Sequence, residues 1–169
     1  MTYEFRDVDR FICGTVGEPG EREFYLQIRS GNRLLSATLE KSQAATLAQR
    51  LEILLRQIVK EDIATVIERS VRDDAPLEQP IEADFTVGAI SIAFDELTKK
   101  LCLELFAIKE VEIEEDEAEI TMYLALSQAK AFVSRTLAVV NAGRLPCPFC
   151  AIPIDPRGHL CPRANGYRR

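Results

Sequence analysis

The chain has 169 residues and a mass of 19.0 kDa, the size of one ordinary domain with room for a small appendage. Hydrophobic residues make up 47% and charged residues 28%, which predicts a folded protein and excludes extended disorder. A net charge of −6 excludes a surface built throughout to grip nucleic acid or anionic lipid, and no apolar run reaches the roughly 18–20 residues of a membrane span.

Residues 1–7 carry neither a basic n-region nor an apolar h-region, so no signal peptide and a cytoplasmic location are expected. Residues 10–16, 23–29 and 33–39 are rich in β-formers and separated by Gly17-Glu18-Pro19-Gly20 and by Ser30-Gly31-Asn32, which is hairpin chemistry. Ser42 has the character of an N-cap. After it, Ala45, Leu47, Ala48, Leu51, Leu54, Leu55, Ile58 and Val59 follow the helical period, predicted to run on through Ile63, Val66 and Ile67 to Asp73-Asp74-Ala75-Pro76. The pattern then returns. Strands are predicted over 85–94, 101–109 and 118–124, and a helix from Ser127 to Gly143.

At an offset of 85, Leu39, Ser42, Gln43, Ala44 and Arg50 match Leu124, Ser127, Gln128, Ala129 and Arg135. The shared order of elements supports an internal repeat, with units at about 10–72 and 83–143. The expected fold class is therefore α+β: two βββα-like repeats forming antiparallel sheet, two main helices, and a small C-terminal zinc knuckle. The body is taken as residues 1–143 and the tail as 144–169. Charge divides the same way: the tail holds five Arg against one Asp, for +4, and the body carries −10.

Chemistry concentrates in the tail. Cys147-Pro148-Phe149-Cys150, eight residues, then His159-Leu160-Cys161 spell C-x2-C-x8-H-x-C. Cysteines three apart can wrap a tight turn and aim both thiolates at one ion. Asp155-Pro156-Arg157-Gly158 fits a type I turn, and a hairpin there would put His159 and Cys161 on one face of a strand. The resulting Cys3His set predicts a closed, structural zinc site at Cys147, Cys150, His159 and Cys161, whose binding energy would fold a segment too small for its own core. A disulfide, a redox Cys-x-x-Cys, another metal such as iron, and a site with one open position are the competing readings.

Cys147-Pro-Phe-Cys150 followed by Asp155-Pro-x-Gly-His159-x-Cys161-Pro-Arg-Ala-Asn-Gly-Tyr-Arg-Arg169 resembles an uncharacterised actinobacterial family of short proteins that close with this cysteine-rich segment. The resemblance implies metal binding at the four ligand positions and carries over no catalytic residue. It also implies a shared pathway with a histidine-phosphatase-like protein and a lipid-kinase-like protein, which neighbour family members in their genomes.

Other candidates have structural readings. Cys13 and Cys102 fall inside predicted strands as buried free thiols. Residues 14–20 lack the Gly-Lys-Ser/Thr ending of a phosphate loop and read as a turn. Glu110, Glu112, Glu114, Glu115, Asp116, Glu117 and Glu119 read as a solvated hairpin, with a divalent-ion or basic-partner site as the alternative. The single histidine is committed to metal, which leaves Ser-His and Cys-His dyads without a base. The leading expectation is a non-catalytic adaptor or regulatory module that meets a protein partner through Phe149, Arg163, Asn165, Tyr167, Arg168 and Arg169, with Pro148 beside them. The basic tail could also dock on the acidic body, in this chain or a partner, and a homo-oligomer is a further expectation. The same Arg and Tyr residues suit single-stranded nucleic acid as a second reading. A small enzyme using an open zinc position or body carboxylates is the third.

Overall fold

A computed structural model describes residues 2–110, 117–143, 145–154 and 158–163. The elements in order are β1 (Tyr3–Phe5), β2 (Arg10–Val16), β3 (Glu23–Ser30), β4 (Arg33–Leu39), α1 (Lys41–Glu61), β5 (Phe85–Asp95), β6 (Lys100–Ala107), β7 (Ile120–Leu124) and α2 (Leu126–Asn141). All seven strands join one sheet in the order β1-β7-β6-β5-β4-β3-β2. The α+β class and both βββα runs are as the sequence predicts. The sheet is mixed rather than antiparallel, because β4 pairs β5 and β1 pairs β7 in parallel. A crossover through α1 brings the chain back in the direction it left, which no hairpin can do. No described helix is long and apolar enough to cross a membrane.

Alternation decides which face is core. In β6, Leu101, Leu103 and Leu105 are fully buried, while Cys102, Glu104 and Phe106 on the other face are half-buried. β5 stays in phase through a bulge at Gly88. The extra residue lets Val87 face the core together with Ile90, Ile92 and Phe94. Both helices lie side by side on this face, α1 burying Ala44, Leu47, Leu51 and Leu55, and α2 burying Ala129, Phe132 and Val133. Phe132 stacks on Phe11 of β2 at 4.2 Å between ring centroids.

Helix starts differ from expectation by one or two residues. The N-caps are Glu40, not Ser42, and Ala125, so that α2 starts at Leu126 rather than Ser127. Gln43 and Gln128, each at the third helical position, reach back to accept the cap N–H at 2.8 and 3.0 Å. Their amide nitrogens donate to Val87 O and Gly88 O in one case and to Val8 O in the other. Each glutamine therefore ties a helix start to the chain of the neighbouring parallel strand. β1, which the sequence does not reveal, fits this scheme. Phe5 lies opposite Met122 as Phe85 lies opposite Ala37, and positions 37 and 122 are 85 apart.

α1 stops at Glu61 and does not continue through Ile63, Val66 and Ile67. Asp62 accepts the Ala64 N–H at 3.1 Å and the Thr65 hydroxyl at 2.7 Å, a local turn that competes with helix. Ile63 and Val66 are exposed, and Ile67 is half-buried against the core. The chain then rounds the β2 edge and crosses the helix-free face. There Leu77 and Ile81 cover Ile12 and Tyr25, and buried Gln27 exchanges hydrogen bonds with the Glu78 backbone at 3.0 and 2.7 Å. Gly14 leaves room for this strap, since a Cβ there would lie 2.6 Å from the Leu77 side chain.

Charge fixes the strap in place. Arg10 pairs with Asp73 and Glu78, Arg29 pairs with Glu78, and buried Arg135 of α2 donates to Cys13 O at 2.8 Å, Asp73 O at 2.7 Å and Ala75 O at 2.6 Å. Arg50, its counterpart at the offset of 85, is exposed. Replacing Arg135 with Met takes a charged donor from three carbonyls, of which Ala75 O keeps a bond from Arg10 at 3.0 Å, and urea unfolding should show a loss of about 3–5 kcal/mol. Arg50→Met should change stability by no more than about 0.5 kcal/mol. Hydrogen bonds from Arg10 to Asp73 and from Arg29 to Glu78 hold both carboxyls below their ordinary values of 3.8 and 4.5. Their contribution is thus complete above those values and is lost as pH falls through the lower folded ones. Stability measured against pH should fall on the acid side, and an Asp73→Asn/Glu78→Gln variant should lose part of that slope.

Candidate metal centre

Leu145 to Ile154 form a tight loop after α2. Cys147 N–H donates to Ile152 O at 2.9 Å, Ala151 N–H to Cys147 O at 2.8 Å, and Ile154 N–H to Leu145 O at 2.8 Å. Pro146 and Pro153 face each other across its base as a single antiparallel bridge. These bonds turn Cys147 and Cys150 toward one side. Ala151 closes the turn at φ +61°, a left-handed conformation in which its Cβ crowds the backbone.

His159 and Cys161 meet that pair. Cys147 Sγ lies 3.7 Å from Cys161 Sγ, and Cys150 Sγ lies 3.2 Å from His159 Nε2. All four donor atoms fall within 4.8 Å of one another. Two metal–sulfur bonds of about 2.3 Å at a tetrahedral angle span roughly 3.8 Å, so the sulfur–sulfur distance fits a shared ion. Cys147 and Cys161 are buried, and Cys150 and His159 half-buried. The backbone N–H groups of Phe149 and Cys150 point at Cys147 Sγ and draw its thiol down to about 6, favouring the thiolate that a metal requires. Burial, helped by the neighbouring Cys147 sulfur, pushes Cys150 the other way.

The four residues singled out by spacing are thus the four that converge, although by a different route. No strand is assigned over residues 158–163, and irregular backbone brings His159 and Cys161 to the cluster. Of the expected turn only Gly158, at φ +105°, is among the described residues; 155–157 lie outside them. Phe149 is 62% exposed, Pro148 is exposed, and Arg163 is exposed while donating to Phe149 O at 3.2 Å. Asn165, Tyr167, Arg168 and Arg169 lie outside the described residues. Leu145, Ile152 and Leu160 are also exposed, which spacing of ligands alone does not reveal. A loop this short has no interior for them.

Elsewhere, Cys13 is buried and its thiol is pushed up to about 12 by burial, which makes it inert. Cys102 is only half-buried, a departure from the expected buried thiol, because it sits on the helix-free face beside Tyr123. Residues 17–20 form the β2–β3 turn, with Gly17 and Gly20 near φ +100°. Of the acidic run, Glu110, Glu117 and Glu119 are described, and Glu112, Glu114, Glu115 and Asp116 lie outside.

The strained turn gives a direct test of how the loop presents its ligands. In competition for Zn2+ with a chromophoric chelator, Ala151→Gly should bind about two- to fivefold tighter, since relief of the left-handed Cβ outweighs glycine's added chain entropy. Ala151→Val, with a branched Cβ in the same conformation, should bind more weakly than the parent.

A family model described as "Protein of unknown function (DUF3090)" matches residues 3–161, ending on the last of the four ligand positions. No curated protein and no solved structure matches the chain. The match spans nearly the whole body as well as the cysteine-rich segment, so the chain belongs to the DUF3090 family, in line with the resemblance carried by its tail.

Proposed function

We propose that this protein is a non-catalytic binding module whose tail is folded by one structural Zn2+, and that it works in the cytoplasm. The observation that carries this reading is the pairing of a complete four-donor cluster with large apolar side chains left in solvent around it. Leu145, Phe149, Ile152 and Leu160 are 76, 62, 49 and 86% exposed on one short segment. Three thiolates and an imidazole suit zinc, and four protein ligands fill its tetrahedron without an open position for substrate. Exposed apolar groups concentrated in this way are the mark of an interface, and Arg163 next to Phe149 adds a cation at its rim. A protein partner with an apolar patch and a carboxylate matches that surface. Free cysteines throughout support a reducing compartment.

The body then serves as the scaffold. We read its two βββα units as an internal duplication, supported by the matched roles of Gln43 and Gln128 and of Phe85 and Phe5.

Elemental analysis of the intact protein should find one zinc per chain, and Cys147→Ser/Cys150→Ser should hold none while keeping the body folded. A Phe149→Ala/Arg163→Ala variant should retain its zinc. Partners that co-purify with the parent should bind this variant at least about tenfold more weakly, as expected for an aromatic and a charged anchor. Undiminished capture by the variant would overturn the surface assignment, and an absence of zinc in reduced, freshly purified protein would overturn the zinc reading.

A further inference from the structure

The carboxyl end of β4 opens into a cleft of about 460 Å3, and none of its lining residues is a metal ligand. Two cations converge on its wall. A Cβ built on Gly143 would lie 3.4 Å from Lys41 Nζ and 3.5 Å from Arg22 Nη2, so both side chains reach the same point. Arg22 lies over the Phe24 ring at 5.1 Å and donates Nη1 to Val139 O at 3.0 Å, which leaves Nη2 for the cleft. Neither cation has a carboxylate within 4.0 Å among the described residues. Glu23, which also lines the cleft, accepts the Tyr25 hydroxyl at 3.0 Å.

The end of α2 does not account for this charge. A helix C-terminus carries about half an elementary charge, and Arg22 and Lys41 bring two full ones. Nor does the fold require them. At the offset of 85, Thr38, Glu40 and Lys41 become Tyr123, Ala125 and Leu126, and the strand-to-helix turn forms there without a cation. Thr38 of β4 and Thr86 of β5, also in the lining, bring their hydroxyls within 2.9 Å of each other, and Glu40 lines the cleft as well.

We propose that this cleft, a site separate from the metal centre, binds a small phosphorylated sugar. Two cations aimed at one point suit a dianionic phosphate. The volume exceeds what a bare phosphate fills and lies within the usual range of small-molecule sites. Hydroxyls of the remaining part of the ligand find acceptors and donors in Thr38, Thr86 and Glu40. The same glutamate discriminates against ligands that carry negative charge at both ends.

Amide-resolved NMR titration of the metal-loaded full chain tests this with three probes: ribose 5-phosphate, inorganic phosphate and ribose. Ribose 5-phosphate should shift the amide signals of Gly20, Lys41, Thr86 and Gly143, and should bind at least about tenfold more tightly than either fragment. Lys41 is exposed, so Lys41→Gln should keep the fold and weaken ribose 5-phosphate by about ten- to a hundredfold. Arg22→Gln should do the same. Shifts at other amides only, unchanged affinity in Lys41→Gln, or ribose 5-phosphate binding no tighter than inorganic phosphate would each overturn the proposal.

Discussion

The guanidinium of Arg135 holds three parts of the body in register. It reaches from α2 to the edge strand β2 at Cys13 O and to the strap at Asp73 O and Ala75 O. A buried cation is unfavourable unless its donors are satisfied, so the chain that supplies those carbonyls must pass that point. This fixes where the segment after α1 rounds the sheet edge, and from there Leu77, Glu78 and Ile81 fall onto Ile12, Tyr25 and Gln27. The strap in turn delivers Phe85 beside Ala37, and the parallel β4–β5 pair closes the seven-stranded sheet. One charged side chain thus links the helix layer, the sheet edge and the helix-free face.

The two βββα units use this frame unequally. Both start their helices with the same glutamine arrangement, and both place a strand in parallel beside the last strand of the unit. After α1 the chain covers the helix-free face of its own unit. After α2 it builds the Cys/His cluster instead. Cys102, Glu104, Phe106 and Tyr123 are consequently half-buried where Ile12 and Gln27 are buried.

Features with a strong local signal were readable from the sequence. The β-rich runs with their turn residues, the helical period of α1 and α2, and Cys-x-x-Cys with His-x-Cys each state a geometry in a few residues. The unread features depend on contacts distant in the chain. Three residues of β1 are too few for a period, and their pairing with Ile120, Thr121 and Met122 of β7 gives them a place. The strap has no periodicity, and its two anchors, Leu77 and Ile81, have meaning only against Ile12 and Tyr25. Arg50 and Arg135 are identical in sequence and opposite in burial, because only Arg135 faces carbonyls from a second segment. Ile63 and Val66 prolong a helical pattern that Asp62 ends by a turn of its own.

We propose that one zinc ion, held by Cys147, Cys150, His159 and Cys161, organises the tail and has its shell filled by protein ligands alone. X-ray absorption at the zinc edge of the intact protein measures this directly. The account predicts three sulfur neighbours at about 2.3 Å and one nitrogen at about 2.0 Å, with no oxygen in the first shell. A shell with fewer than three sulfurs, or one that includes a water oxygen, would contradict it.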